Sequence, residues 1–446
     1  MAKRVIILGG GFAGIQAATE LARHARQLHP SGGPELDVLL IANQNYSLFT
    51  PLLPQVASSN VDPRHIAQPI RDIRAGRAFR FLRAEVTRVD LDARRVDTTE
   101  GPAEYDYLIL APGSRTDYYD IPGARENTWD FKSLEDAIVL RERVLDMCEH
   151  ADHTADPETK RRMLTFIIVG GGYTGIELVT ELHDLLFGYV VRHYRGISAG
   201  DIQLIVLEAT NEILRGIHPN LKAHSMKRLA RKGIEVRMQS PAARCDAHGV
   251  DLRGGQRINA ETVVWAAGVR AHAIAEALPV EHDRIGRILV NDHLQVELHP
   301  EVFVAGDSAA PRSSMEAPRI APVGIDEGAI AARNLLHAER GQPLESYRFV
   351  SKGMLVSLGL NYAVVNIGGI RLSGFFAWLF WNSVHLYKLV GVKKQIQVAI
   401  DWTMTLLFPR DAMIVRRPRR CPLCAPKDIP AESPPPQRAR ATASDD

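Results

Sequence analysis

The chain has 446 residues, a net charge of +2, and 46% hydrophobic against 24% charged side chains. That length exceeds one ordinary core and implies two or three domains, while the near-neutral charge excludes a global nucleic-acid footprint. Cys148, Cys245, Cys421 and Cys424 are too few for a disulfide scaffold and fit a reducing cytosol, and no apolar run reaches the roughly 18 residues of a spanning helix.

Val5–Leu8 is a continuous apolar run, the pattern of a strand buried on both faces of a parallel sheet. It starts so near the first residue that no signal peptide is expected. Gly9, Gly11 and Gly14 then read G-x-G-x-x-G, and Ile15, Ala18, Leu21 and Ala22 follow at helical spacing. Strand, glycine turn and helix form the first unit of a dinucleotide-binding fold. Gly9 lets the chain turn, Gly11 lets backbone approach a pyrophosphate, and Gly14 lets the helix lie close to the strand. The helix N-terminus offers free N–H groups to the phosphates.

Leu36–Ile41 is the next buried strand. Its end normally carries an acid for the adenosine ribose, but here Asn43 stands there as a neutral substitute. Residues 48–57, with two prolines, read as a packed loop and short helix. Phe81–Val89 and Arg95–Thr98 read as strands, and 105–114 as a buried strand ending in a turn at Gly113. Ser133–Cys148 reads as an amphipathic helix with a capping box to Asp136, and 151–158 as a polar loop.

The opening unit then recurs. Residues 164–169 form an apolar strand, followed by Gly170, Gly172 and Gly175 in the same register and a helix from Ile176. Strand 203–207 ends in an acid, Glu208. Two such units about 160 residues apart indicate domain duplication and two dinucleotide sites. A helix at 218–232, a strand at 234–238, a buried strand ending at Gly268, and another ending at Gly306-Asp307 follow, then a helix at 329–336. From Tyr347 the character changes. Residues 354–366 are strand-like, 375–389 strongly apolar and aromatic, and 396–408 apolar again. The Pro-, Ala- and Arg-rich segment from Pro418 reads as disordered. Cys421 and Cys424 have C-x-x-C spacing but neither a second ligand pair nor a strand–helix context, so no metal site is expected.

Several phrases resemble the type II NADH dehydrogenases, single-subunit NADH:quinone oxidoreductases of the two-dinucleotide-binding-domain flavoprotein class. They are Asn-Tyr-Ser-Leu-Phe-Thr-Pro-Leu-Leu at 45–53, Ile-Leu-Ala-Pro-Gly-Ser-Arg-Thr at 109–116, Lys-Ser-Leu-Glu-Asp-Ala at 132–137, Trp-Ala-Ala-Gly-Val-Arg-Ala at 265–271, Val-Phe-Val-Ala-Gly-Asp at 302–307, and the run from Trp378 through His-Leu-Tyr-Lys-Leu-Val-Gly at 385–391. The resemblance implies an α/β fold of two Rossmann-like domains with a C-terminal membrane-associating region. The expected division is an FAD-binding domain at 1–120 completed by 291–345, an NADH-binding domain at 121–290, a membrane-associating region at 346–416, and a disordered tail at 417–446.

The implied activity is electron transfer from NADH via FAD to a membrane quinone, without proton pumping, in a respiratory chain. The weighed alternative is a soluble FAD-dependent NADH oxidoreductase with a non-quinone or protein acceptor. The implied setting is peripheral, on the cytoplasmic face of the inner membrane, with a homodimer as the candidate assembly. Phe375, Phe376, Trp378, Leu379, Trp381, Leu386, Leu389, Trp402, Leu406, Leu407 and Phe408 would face the membrane, with Lys393, Lys394, Arg410, Arg416, Arg417, Arg419 and Arg420 supplying positive charge.

The resemblance also assigns roles. Gly9, Gly11, Gly14, Asn43, Gly113, Gly306 and Asp307 would serve FAD, with Asp307 on the ribityl chain. Gly170, Gly172, Gly175, Glu208 and Gly268 would serve NADH. Glu177 would lie near the nicotinamide and the acceptor path, and Lys352 near the flavin. The family's Ala-Gln-x-Ala-x-Gln phrase is replaced here by Ala321-Pro322-Val323-Gly324-Ile325-Asp326. Both glutamines are gone, and Asp326 is expected to act as a proton-donating group at the quinone site. The competing expectation is that Asp326 caps its helix or pairs with Arg319 or Lys352.

Overall fold

The computed structural model describes residues 2–28, 36–73, 79–315 and 317–414. The opening strand Lys3–Leu8 lies inside a six-stranded sheet, in the order 295–296, 299–304, 107–110, 3–8, 36–42, 80–83. Every neighbouring pair is parallel except 295–296 with 299–304. Val5 to Leu8 are buried on both faces, as their unbroken apolar pattern requires. Residues far along the chain complete this sheet: strand His299–Val304 pairs with Tyr107–Leu110.

The second unit repeats the plan. Its five strands, all parallel, run in the order 129–130, 262–265, 165–169, 203–207, 235–237. Two antiparallel connections join the units, Ser114–Thr116 pairing with Val269–Ala271. The helix Ala321–Glu339 returns to cross the first helix, Phe12–Leu28, and a Cβ at Gly328 would fall 2.2 Å from the Ala13 carbonyl oxygen. Only glycine allows that approach.

Boundaries differ from sequence expectation where helical pattern hides in polar sequence. The helix from Leu134 runs on to His153, and the expected loop at 151–158 shrinks to three residues before a second helix, Pro157–Met163, capped by Asp156. The helix expected at 329–336 begins eight residues earlier, with Pro322 in its first turn, where a missing N–H costs nothing.

The C-terminal module is a three-stranded hairpin sheet, 354–357, 363–367 and 370–374, followed by helices Phe375–Lys388 and Val392–Leu407. It shares one core with the second unit and with the segment around Phe49 to Ile66. Phe375, Phe376, Leu379, Leu406, Leu407 and Phe408 are exposed as expected, joined by Phe380, Ile396, Ile400 and Met404. Trp381 and Leu389 are not: they are buried, on the stripe four residues apart that continues from Ala377. Trp402 is also turned inward, donating from its indole to Gln55 Oε1 at 2.7 Å. Among the described residues no helix is long and apolar enough to cross a membrane. Cys421, Cys424, Arg416, Arg417, Arg419 and Arg420 lie outside the described residues.

Candidate active site

The two glycine turns differ in what each glycine meets. Gly9 has φ +111° and a Cβ there would fall 2.0 Å from the Ala111 carbonyl oxygen; Gly170 has φ +114° and the same conflict with Ala266 at 2.6 Å. A Cβ at Gly14 would lie 2.0 Å from the Gly9 oxygen, and one at Gly175 2.1 Å from the Gly170 oxygen. Gly11 and Gly172, by contrast, face space with nothing within 4 Å. The first and third glycines are therefore demanded by the protein itself. The second opens each helix N-terminus toward room that a pyrophosphate fits.

Glu208 closes the second turn. One carboxylate oxygen accepts the Gly171 N–H at 2.8 Å, and the other accepts the N–H and hydroxyl of Thr210, both at 2.8 Å. The carboxylate is thus fixed at the carboxyl end of its strand beside the glycine turn. At the matching place in the first unit, Asn43 is exposed and its carbonyl accepts from Arg83 at 3.2 Å.

Asp307 lies where the strand 299–304 ends. It accepts a hydrogen bond from the Ser114 hydroxyl, which in turn accepts from Lys132 Nζ at 2.7 Å; Lys132 Nζ is 4.0 Å from the carboxylate itself. Burial pushes the Lys132 ammonium below its usual range, and Asp307 opposes that. Sequence reasoning placed Asp307 but missed Lys132, although it begins one of the diagnostic phrases. Gly113 and Gly306 bound the same spot, Gly113 through its carbonyl, which accepts from Ser308 at 2.6 Å. Glu327 was missed altogether. It is 1% exposed, accepts the Gly306 N–H at 2.7 Å, and is pushed up to about 8 by burial, against hydrogen bonds from Gly306 and Tyr347.

Glu177 sits one turn into the helix Tyr173–Leu185, facing the C-terminal module. Its carboxylate accepts the Ser357 N–H at 2.8 Å. Burial pushes it up to about 8, although Ser357 and the nearby Trp381 indole favour the charged form. That indole N–H is buried and has no hydrogen-bond partner within ordinary distance and angle, so its effect on Glu177 is the weaker one. His385 stacks on Trp381 at 3.9 Å between ring centroids, and burial pushes it down to about 4, leaving it neutral.

The next two acids on this helix face extend the buried charge. Glu181 accepts from Ser58 Oγ at 2.7 Å and pairs with Arg410 at 3.3 Å; Asp184 pairs with Lys232 and accepts the Leu360 N–H at 2.6 Å. Arg410 also donates to the Ser58 and Glu181 carbonyls. It was expected to attract a membrane surface. Its guanidinium is instead buried on Glu181, because two carboxylates stacked one helical turn apart need a cation there.

Asp326 and Lys352 meet. Lys352 Nζ donates to both carboxylate oxygens, at 2.7 and 2.5 Å. Of the two expectations for Asp326, the geometry presents the ion pair. The pair borders a cleft with Pro322, Phe349 and Met354. On the other face of the same helix turn, Ile325 lines a second, open cleft with Phe12, Phe49, Gln68, Lys388 and Leu389. This second cleft lies between the first glycine-turn helix and the C-terminal helices; Phe12, Phe49, Ile325, Lys388 and Leu389 each fall in a quoted motif or phrase, but no motif showed that they share one cleft. Among the described residues no group of acids, histidines and cysteines could hold a metal, and Cys148 and Cys245 are buried free thiols.

A family model described as pyridine nucleotide-disulphide oxidoreductase matches residues 3–328, and one described as NDH2 C-terminal domain matches 351–411. The chain is 33% identical to the type II NADH:quinone oxidoreductase Ndh of Mycobacterium tuberculosis, over 91% of this chain and 89% of that protein. It is 27% identical to the type II NADH:quinone oxidoreductase of Staphylococcus epidermidis, over 87% of this chain and 96% of that one. Its fold matches NDH2 from Plasmodium falciparum in complex with NADH at a TM-score of 0.84 and 21% identity, covering 93% of this chain and 100% of that chain. The sulfide:quinone oxidoreductase of Aquifex aeolicus matches at 0.70 and 18% identity, over 91% and 95% of the two chains.

Proposed function

The chain belongs to the type II NADH:quinone oxidoreductases, and from that premise we propose how its own residues divide the work. It transfers electrons from NADH through FAD to a quinone. FAD, when bound, supplies the chemistry that takes a hydride from NADH and passes electrons to the quinone. The assigned parts are an FAD domain at 1–120 and 291–345, an NADH domain at 121–290 and a membrane-associating region at 346–416.

Gly9, Gly11 and Gly14 form the FAD pyrophosphate cradle, with Asn43 toward the adenosine ribose, Gly113 and Gly306 giving backbone access, and Asp307 accepting from the ribityl hydroxyls. The open space at Gly11 supports this reading. Lys132 orients Asp307 through Ser114. Gly170, Gly172 and Gly175 cradle the NADH pyrophosphate, Glu208 accepts from the adenosine ribose, and Gly268 borders the nicotinamide half.

The quinone enters the cleft bordered by Phe12, Phe49, Ile325 and Leu389. Its position between the flavin-side helix and the exposed apolar helices supports this. Glu177 carries the proposal furthest. Its carboxyl is raised to about 8, so it holds a proton at neutral pH at a point where the NADH domain meets the C-terminal module. It gives that proton as the quinone takes up electrons. Asp326 and Lys352 act as one unit beside the flavin, Lys352 setting the charge that Asp326 presents.

Attachment is peripheral, through the exposed apolar faces of the last two helices with Lys393 and Lys394 at their rim. The cytoplasmic face is assigned because NADH is supplied there. A steady-state panel of ubiquinone and menaquinone analogues against soluble dyes, with flavin reduction followed in parallel, tests the whole reading. Fast flavin reduction without turnover on any quinone would overturn it.

A further inference from the structure

Two consecutive residues of the inter-domain connection, Tyr119 and Asp120, are held at φ 51° and 53°. Non-glycine residues rarely adopt that conformation, and it persists only where the surroundings enforce it. Here they do. The Asp117 N–H donates to the Gly268 carbonyl at 3.1 Å, the Asp117 carbonyl accepts from the Trp265 indole at 2.7 Å, and Tyr118 packs on Trp265 while its hydroxyl donates to Asp130 at 2.6 Å. These contacts pin the connection onto the end of the NADH-domain sheet.

Tyr119 is what the pinned segment presents. The residue is 55% exposed, and its hydroxyl donates to the Ala267 carbonyl at 3.4 Å. A Cβ at Gly268 would fall 2.0 Å from that phenol oxygen, so the ring occupies the place a side chain there would take. Gly268 follows the strand Thr262–Trp265, on the opposite side of the central strand Thr165–Val169 from the strand that ends in Glu208. In an open parallel sheet the ligand crosses the carboxyl ends at this switch point. With the adenosine ribose at Glu208 and the pyrophosphate at Gly172, the nicotinamide nucleoside falls on the Gly268 side.

We propose that Tyr119 is a positioning residue for NADH: its ring, seated over Gly268, lies against the nicotinamide-side nucleoside and holds it for hydride transfer. An exposed aromatic face at the mouth of a nucleotide crevice offers stacking area at little entropic cost, because the pinned backbone has already fixed its position. The inference rests on the NADH site assigned above.

Four variants test it against that assignment, with flavin content measured for each. Tyr119→Ala raises the KM for NADH about tenfold, in line with loss of one aromatic stacking contact, and changes kcat much less. Tyr119→Phe keeps the ring and stays near the parent value. Gly268→Ala forces the phenol aside, because its neighbour is the end of a movable side chain, and raises KM likewise. Combined with Tyr119→Ala it adds nothing further. Independent, additive losses in the double variant, or an unchanged KM for Tyr119→Ala, overturn the role of Tyr119. Gly172→Val in the same assay separates the two levels: if it leaves NADH affinity intact, the site assignment itself fails and the tyrosine role with it. If it abolishes binding while Tyr119→Ala does nothing, only the tyrosine role fails.

Discussion

Lys352 holds Asp326 by both carboxylate oxygens, joining the approach to the hairpin module to the second turn of the helix that starts at Ala321. The two residues should therefore behave as one unit in turnover. Asp326→Asn and Lys352→Met are each expected to leave flavin reduction by NADH intact, slow quinone turnover and alter its pH profile, and the double variant should be no slower than the worse single one. Because the pair is substantially exposed, each change should alter stability by only about 0–1 kcal/mol. Parent-like quinone kinetics in both single variants would show that the pair has no part in the reaction.

The glycine turns make a prediction that separates cofactor from fold. Gly11 faces open space, so Gly11→Val fits the protein and obstructs only the pyrophosphate; the purified protein should fold with its flavin largely missing. Gly14→Ala drives a methyl to 2.0 Å from the Gly9 oxygen and should lower stability by about 1–3 kcal/mol through overpacking. Full flavin occupancy in Gly11→Val is the result that counts against the FAD assignment.

The fold was legible because buried parallel strands and glycine turns leave strong local signals. Val5–Leu8, Gly9 and their repeat at 165–170 are such signals. Glu208 was legible for the same reason: it occupies a fixed place at a strand end. Lys132, Glu327 and Arg410 were not. Each acts on a partner far away in the chain or across the fold, such as Asp307, Gly306 or Glu181, and nothing local to Glu327 distinguishes it from any helical glutamate. Trp381 and Leu389 read as membrane-facing because a helix that is apolar on both its core side and its exposed side has no polar face to mark the difference.

The proposed placing of Glu208 at the NADH ribose predicts coenzyme choice. Its two oxygens are already oriented by Gly171 and Thr210, ready to accept from a free 2′-hydroxyl and to repel a 2′-phosphate. NADH should be preferred over NADPH by at least about tenfold in kcat/KM, and Glu208→Gln should narrow that ratio. Equal values for the parent protein would remove the residue from this role.

Two desolvated acids, one buried and one half-buried, bear on the pH dependence of stability. Glu177 and Glu327 are both raised from 4.5 to about 8 by burial. Between those values the folded chain keeps protons that the unfolded chain has released. Their contribution is therefore complete below about pH 4.5 and is lost as pH rises to about 8, at no more than about 1.4 kcal/mol per pH unit per group. Thermal unfolding should show a lower midpoint at pH 8 than at pH 6, and Glu327→Gln should flatten the difference. A midpoint that climbs over this range in the parent, and is unaffected by the substitution, would contradict the assignment.

Membrane binding is best tested by point substitutions. Truncation at residue 372 would also remove Trp381 and Arg410, which belong to the core. Phe376 and Leu407 are 77% and 69% exposed. Replacing both with Asp forfeits roughly 1.5–3 kcal/mol of apolar burial at each site, enough to weaken liposome partitioning at least about tenfold. Soluble NADH-to-dye activity should persist. Unchanged partitioning would place the anchor elsewhere.

The pairing of His299–Val304 with Tyr107–Leu110 has a consequence for how the chain is made. A nascent chain that has just exposed the second glycine turn and its five strands can already close that sheet, because all of its strands lie between Trp129 and Arg237 or at Thr262–Trp265. The sheet that began first must wait, with one edge of Tyr107–Leu110 unpaired, until residue 304 emerges. Asp307, Glu327 and the helix that packs on Ala13 arrive later still, and Arg410 last of all. The nucleotide half met first along the chain is thus finished second, after the sheet that follows it in sequence can already have closed.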